Sequence, residues 1–342
     1  MKAAVPLPVP PHPAVASLRR WLDGRDVALA ALNLVLLFAV ALKFPDFLAP
    51  RNMADILDDT AILFLMALAE MLVILTGAID LSVAANLALT GVSVALVNAA
   101  HPGLGVAPII AMALVMGAAL GAGNAVLICK LGLPSIVVTL GTLAIYRGCI
   151  FLLTGGAWVN SNQMSDAFLN FIRVSFLGLT TLTWIAILGI AAAGLFLRFS
   201  VAGRNLYVIG GNPLAATYAG IDPGRTQALA FLISGAVSGL CGYFWVSRFA
   251  VAYVEVAQGF ELQVIAACVI GGVSIAGGLG TVPGVVLGAL FLGIIKNALP
   301  LIGVSPFWQM AIAGTVITLA VVINARSEGR AQGRRILQEN TA

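Results

Sequence analysis

Residues 198–227 read RFSVAGRNLYVIGGNPLAATYAGIDPGRTQ, the longest polar interval between apolar runs that are each long enough to cross a bilayer. The interval holds a compact helix signal. Asn212 is a capping residue, Pro213 fits the first helical position where a missing N–H costs nothing, and Gly220 suits the left-handed turn that ends a helix. Leu214 to Ala219 between them are mostly good helix formers. The result is two turns, roughly 12 Å at 1.5 Å per residue, too short to hold in water unaided. It needs membrane helices behind it or a partner in front. Leu214 and Tyr218 lie four apart and share a face, while Ala215, Ala216 and Ala219 make a low surface that another protein can approach. The plain alternative is a surface helix that only ties two spans together.

The apolar runs around this interval set the class. Of 342 residues, 61% are hydrophobic and 9% charged, and the mean hydropathy is +1.05; a soluble domain carries about 25% charge. The chain is an integral membrane protein. The run Val27–Phe44 is too long for a signal-peptide core and lacks a small-residue cleavage site, so it reads as a first span. Further spans are expected near 60–77, 83–99, 106–127, 135–153, 181–197, 228–246, from 264, 284–299 and 308–323. Gly117, Gly121 and Gly123 in the fourth are spaced for close helix packing in lipid. A short interfacial helix is expected from Arg51, ahead of the second.

About ten spans put both termini on one side. Twelve of the 18 Lys and Arg then fall on the side of the termini: Lys2, Arg19, Arg20, Arg25, Lys130, Arg198, Arg204, Arg225, Arg326, Arg330, Arg334 and Arg335. Lys43, Arg51, Arg173, Arg248 and Lys296 fall opposite, and Arg147 lies within a span. The positive-inside rule makes the termini cytoplasmic. The expected organisation is a cytoplasmic tail at 1–25, a transmembrane domain at 26–325 and a cytoplasmic tail at 326–342. Within the domain, 198–227 is a cytoplasmic loop and 154–180 a periplasmic one. The fold class is all-α: a polytopic membrane protein with broken or re-entrant segments.

Two stretches resemble one another. VILTGAIDLS (73–82) and VIGGVSIAGG (269–278) each interrupt a span with small residues, and each precedes a Gly/Ala/Leu-rich span. Such a pair points to a duplicated transporter fold with discontinuous helices. Broken backbone at membrane depth is tolerated where it lines water or is buried in protein. The two stretches are thus either walls of a path, around Gly277 and Gly278 in the second, or tight turns packed on their own bundle.

Polar groups inside the spans are few. Glu70 lies in the second span and Asp80 at its broken end, at a cost of about 2.5–3.5 kcal/mol each at the bilayer centre. Arg147 is the obvious opposite charge, so the readings are a Glu70–Arg147 or Asp80–Arg147 pair, a solute contact, or a proton relay. Asp80 also suits the N-cap of the third span. Asn86, Thr90, Asn124, Thr139, Thr142 and Tyr146 suit the passage of an uncharged hydroxylated solute, or equally helix–helix hydrogen bonds. Glu261 and Gln263 stand at the outer start of the eighth span, for solute, a docking protein or solvent. Cys129, Cys149, Cys241 and Cys268 lack metal or redox spacing, and His12 and His101 lack ligand partners, so no metal is expected. No GxxxxGK[ST] stretch occurs, so ATP is not expected to bind this chain through a P-loop. Neither a cofactor nor a nucleic-acid partner is expected.

Four stretches then carry a resemblance: GAIDLSV (77–83), LPSIVVTLGTLAIYRG (133–148), GRNLYVIGGNPLAATYAGI (203–221) and ELQVIAACVIGGVSIAGGLGTVPGVVLGALFLGII (261–295). In that order they resemble the permease subunits of bacterial ABC importers for monosaccharides, the ribose/arabinose/xylose type. The departures are Ala78 for a usual Gly, Ala84-Ala85-Asn86 for a Gly-containing run, and Glu70. The resemblance implies a second permease copy or paralogue, two cytoplasmic ATPases that bind the ATP, and a periplasmic sugar-binding protein, all around a chain seated in membrane lipid. It implies that Asn212, Pro213, Leu214, Ala215, Ala216, Tyr218 and Gly220 form a coupling helix that seats on the ATPase. The expected path residues are Glu70, Asp80, Asn86, Asn124, Tyr146, Arg147, Gly277 and Gly278. The expected function is ATP-driven monosaccharide import, with a deoxyhexose such as rhamnose suggested by the departures. The rivals are an ABC permease for amino acids or nucleosides, and an ion-coupled secondary carrier using Glu70 and Asp80. The chain itself is expected not to be an enzyme.

Overall fold

Proline and glycine set where the apolar runs start and stop as helices. In chain order these are α1 (Gly24–Lys43), α2 (Pro50–Leu75), α3 (Val83–Ala100), α4 (Val106–Ala125), α5 (Ser135–Thr154), α6 (Asp166–Asn170), α7 (Thr181–Phe199), α8 (Val201–Gly211), α9 (Pro213–Tyr218), α10 (Pro223–Phe249), α11 (Phe260–Ile270) and α12 (Val282–Leu301). Four two-residue strands, β1 (Val159–Asn160), β2 (Ser175–Phe176), β3 (Leu179–Thr180) and β4 (Val251–Ala252), pair antiparallel as β1–β4 and β2–β3. The structure is a computed structural model and describes residues 24–301 and positions 303–305, 308, 311, 314, 315 and 318. The N-terminal tail up to residue 23, most of the tenth span (308–323) and the tail at 326–342 lie outside the described residues.

Among the described residues, 7 helices are long and apolar enough to cross a membrane: α1, α3, α4 continued to Lys130, α5, α7, α10 and α12. α2 runs 26 residues and is buried without a gap from Thr60 to Leu75, although it carries Asp58, Asp59 and Glu70. α11 has only 11 residues, roughly 16 Å at 1.5 Å per residue, before the chain breaks. The molecule is an all-α polytopic membrane protein.

Several boundaries differ from the expected ones. Pro50 sits in the first turn of α2, so the expected interfacial helix and the second span are one continuous helix. α10 begins at Pro223 because Asp222 caps it, accepting the Arg225 N–H at 3.0 Å. α8 was not expected at all. Its glycines give it weak propensity, and it is fixed instead by burying Gly203, Leu206 and Ile209 on one side. The 154–180 interval carries β1, α6 and the β2–β3 hairpin.

The core is built around α3, which is buried from Val83 to Ala95. Lipid supplies no hydrophobic force between helices, so close approach and hydrogen bonds hold them. On α4 and α10, Gly117 and Gly121 face Gly235 and Gly239 so closely that an added Cβ on Gly121 would lie 2.9 Å from the Gly235 Cα. Gly91 on α3 meets Gly242 in the same way, whereas Gly123 packs against nothing and takes no part in the contact.

Helix ends gather at two opposite surfaces. At one, Arg25 Nη2 donates to the Val269 carbonyl (3.4 Å), the Ile79 N–H to Ser135 Oγ (3.4 Å), and Gln227 Nε2 to Thr76 Oγ1 (3.2 Å). At the other, Asn98 Nδ2 donates to Ser165 Oγ (3.0 Å) and Arg248 forms ion pairs with Asp58 and Asp59. α8 and α9 stand at the first of these surfaces.

Candidate functional site

The Asn212 side chain accepts the Ala215 N–H at 3.0 Å, Pro213 follows in the first turn, and Gly220 takes φ +79° beyond the last turn. These local choices make α9 a short, sharply bounded helix. Leu214 is 64% exposed and Tyr218 84% exposed. Ala215 is exposed as well, but Ala216 is fully buried. Ala216 therefore does not belong to a surface offered to a partner. It is the side of α9 turned onto the protein, and its carbonyl accepts the Ile221 N–H at 3.0 Å.

What lies beneath α9 is a junction of glycines. α8 ends in Gly210-Gly211, directly before Asn212. A Cβ on Gly210 would collide with the Leu75 carbonyl oxygen and the Gly278 nitrogen. The Gly278 N–H donates to that same Leu75 carbonyl at 3.0 Å. Gly277 (φ +90°) lies against Gly77 and Gly210, where a Cβ would stand 2.8 Å from the Gly77 nitrogen. One junction thus joins the first break (Gly77), the second break (Gly277 and Gly278) and the root of α9. Tyr207, one turn earlier on α8, donates from Oη to the Gly280 carbonyl at 3.0 Å. Burial pushes its phenol up to about 12. Both breaks were expected from their small residues, with Gly277 and Gly278 named in the second, but their meeting with Gly210 was not. The signal for Gly210 was present as Gly-Gly immediately before an Asn-Pro cap.

The first break is held from its other side by polar groups. Glu70 is fully buried, and its Oε1 accepts the Asp80 N–H at 3.0 Å. Asp80 Oδ1 accepts the Ser82 N–H (2.8 Å) and the Ser82 hydroxyl (2.6 Å), and Asn124 Nδ2 donates to Ser82 Oγ (2.8 Å). Glu70 Oε2 and Asn124 Oδ1 are buried and without a hydrogen-bond partner among the described residues. Asp80 binds the turn ahead of α3 rather than capping it. Ser82 is the N-cap residue, and no side chain fills the cap.

Of the three readings for these charges, the Arg147 ion pair with Glu70 or Asp80 does not form. Ser135, at the start of α5, meets Ile79 beside the break, and Arg147 is 12 residues further on, about 18 Å along the axis. Arg147 Nη1 donates instead to the carbonyls of Val254 (3.0 Å) and Val256 (2.6 Å), with the carboxylates of Glu255 and Glu261 nearby. It fastens a loop in which Ala250, Ala257 and Gly259 all have positive φ.

The remaining polar residues serve helix contacts. Asn86 Nδ2 donates to the Gly117 carbonyl at 3.1 Å, between α3, α4 and α10, and its Oδ1 accepts from Thr90 at 3.2 Å. Tyr146 Oη donates to the Leu120 carbonyl at 2.9 Å. Thr139 Oγ1 donates to the Ser135 carbonyl (2.9 Å) within α5 and to the Ile79 carbonyl (3.3 Å) at the first break, and Thr142 Oγ1 donates to the Thr139 carbonyl (3.3 Å). The structure therefore brings together Glu70, Asp80, Asn124, Gly277 and Gly278 around the two breaks. Asn86, Tyr146 and Arg147 have separate partners.

The arrangement is an exposed short helix mounted directly on two backbone breaks. The chain is 35% identical to the L-arabinose ABC transporter permease protein AraH of Azospirillum brasilense, over 95% of this chain and 96% of that one. It is 35% identical to the ribose import permease protein RbsC of Escherichia coli K12, over 91% of this chain and 96% of that one. It is also 35% identical to the autoinducer 2 import system permease protein LsrC of Klebsiella pneumoniae, over 90% of this chain and 89% of that one. No solved structure matches it. The family described as branched-chain amino acid transport system / permease component matches residues 52–321, so the chain belongs to that family of membrane permeases.

Proposed function

We propose that the chain is the membrane-spanning subunit of an ATP-driven importer that carries a monosaccharide from a periplasmic binding protein into the bacterial cytoplasm. It works with a second permease and two ATPase domains that bind and hydrolyse the ATP. The observation that carries this reading is the mounting of α9. A helix with Leu214 and Tyr218 exposed, rooted in glycines that touch both breaks, suits a lever driven from outside the chain. In this reading α9 and its loop at 198–227 face the cytoplasm, and the 154–180 segment faces the periplasm, as the charge distribution favours.

ATP closes the partner ATPases, α9 moves with them, and Gly210-Gly211 passes the movement to Leu75, Gly277 and Gly278. The contact is backbone on backbone, so a small shift has no soft side chain to absorb it. The two states of the dimer are biased by nucleotide on one face and by the loaded binding protein on the other. Glu70, Asp80 and Asn124 act by holding the first break in register.

The names of the relatives support a sugar, with ribose and arabinose to be tried first. A deoxyhexose such as rhamnose is the finer reading from Glu70 and Ala84-Ala85-Asn86. Asn86 is committed to the Gly117 carbonyl, which weakens that argument. The test is uptake of labelled ribose, arabinose and rhamnose by vesicles carrying the complete importer. Uptake of one of them that needs both ATP and the binding protein supports the proposal. Uptake driven by an ion gradient without ATP overturns it.

A further inference from the structure

At the end of the bundle opposite α9 lies a cavity of ≈ 360 Å³, lined among others by Asp58, Asp59, Arg173, Thr180, Arg248 and Phe249. Its floor is closed by charge. Arg248 pairs with both Asp58 and Asp59, and the Thr180 hydroxyl donates to Asp58. Lys296 lies beside Asp59 and Arg248. Three cations around two carboxylates leave one positive charge. The side chain with capacity to spare is Arg173. Its Nη2 donates to the Ser247 (3.2 Å) and Arg248 (2.9 Å) carbonyls at the end of α10. No hydrogen bond from its Nε or Nη1 is found among the described residues, and the residue is exposed. A guanidinium in that state presents free N–H donors in a planar fork that matches phosphate oxygens.

The cavity is also lined by apolar Ile172, Leu182 and Phe249, and exposed apolar residues follow Arg173 in the chain. Val174, Phe176 (64% exposed) and Leu177 (77% exposed) form the outer side of the β2–β3 hairpin, and Leu177 holds φ +52° at its tip. Trp184 fixes the hairpin to α7, donating from Nε1 to the Phe176 carbonyl at 3.0 Å. The exposed Ile187, Leu188 and Leu195 continue along α7, away from the hairpin. An aromatic and apolar hairpin at the head of a lipid-facing helix belongs to the membrane interface. A ligand that fits both rims has an anionic head and hydrocarbon tails.

We propose that this cavity is a binding site for an anionic phospholipid, its phosphate on Arg173 and its acyl chains against Phe176, Leu177 and the exposed face of α7. A docking protein would also meet the charged rim, but it would leave the apolar rim, continuous with the lipid-facing side of α7, without a role. The proposal does not rest on the identity of the transported sugar.

The test uses the purified full chain in detergent, titrated with phosphatidylglycerol, with lipid adducts counted by native mass spectrometry. One phosphatidylglycerol should be retained. Arg173→Gln should weaken retention about fivefold, the loss expected for one basic side chain at a lipid headgroup. Leu177→Gln at the exposed tip should weaken it without touching the α10 end, and so guards against misfolding of the first variant. Glycerol phosphate, which lacks tails, should not compete. Equal retention by the parent and both variants overturns the proposal. So does competition by glycerol phosphate at equal concentration, which would make the site one for a free phosphate. If the variants keep the lipid but lose capture of the importer's own binding protein, the surface is a protein dock and the proposal fails.

Discussion

Gly210 and Gly211 are neighbours, yet a methyl group at each would meet different surroundings. At Gly210 it would run into the Leu75 carbonyl and Gly278; at Gly211 nothing lies within 4 Å. Gly210→Ala should therefore cost about 1–3 kcal/mol by overpacking, seen as a lowered thermal midpoint and lost ATP-driven uptake, whereas Gly211→Ala should leave both near the parent's. Equal effects would mean that the junction does not transmit anything. Glu70 is the second decisive residue. Glu70→Gln keeps an oxygen for the Asp80 N–H and should keep uptake within about twofold, while Glu70→Ala leaves that buried donor unpaired at about 1–3 kcal/mol. An ion-coupled carrier would behave otherwise, since Glu70→Gln would abolish its response to a pH gradient. Tyr207 gives a pH signature. Its phenol is raised from 10.0 to about 12, so its tie to Gly280 is fully present below about pH 10 and is lost as the pH rises through the folded value. The parent should lose thermal stability between those values more steeply than Tyr207→Phe, in paired melting curves.

At the scale of elements, α9 has a wet face and a dry one. The sequence alone named the cap, the proline, the stop and the Leu214/Tyr218 face, because each rests on contacts within four residues. It did not separate Ala216 from Ala215. Both are small and helix-forming, and only the position of α8 and α10 decides which is covered. Leu214→Glu with Tyr218→Ala should leave the permease in the membrane and the ATPase active, with uptake reduced at least tenfold; the readout is the ratio of sugar moved to ATP hydrolysed. A ratio equal to the parent's would reduce α9 to a connector. Asn212→Ala should weaken the helix by about 1 kcal/mol through loss of the cap, and thereby lower the same ratio partially.

For the whole molecule, membrane character, the order of the apolar helices and the two glycine-rich breaks could be read from hydropathy and glycine placement. α8 could not, because its apolar positions are few and its stability comes from what it packs on. The Arg147 error has a similar origin. Opposite charges in neighbouring spans suggest a pair, but the depth of each along its helix is fixed by where the helices start, and Arg147 lies about 18 Å along α5 from Ser135, with its guanidinium on the Val254 and Val256 carbonyls. The meeting of Gly77, Gly210 and Gly277 is invisible in sequence, since it joins positions more than 60 residues apart. Those contacts join a surface helix and two distant breaks, and in the proposed function the joined unit is driven by a separate ATPase. The most direct measurement places a photo-reactive benzoylphenylalanine at Tyr218 in the complete importer, in native membranes, and identifies what it captures on illumination. The account predicts an adduct with the ATPase subunit whose yield changes when ATP is added. Capture of the periplasmic binding protein, or of lipid alone with no ATPase adduct in either nucleotide state, would contradict it.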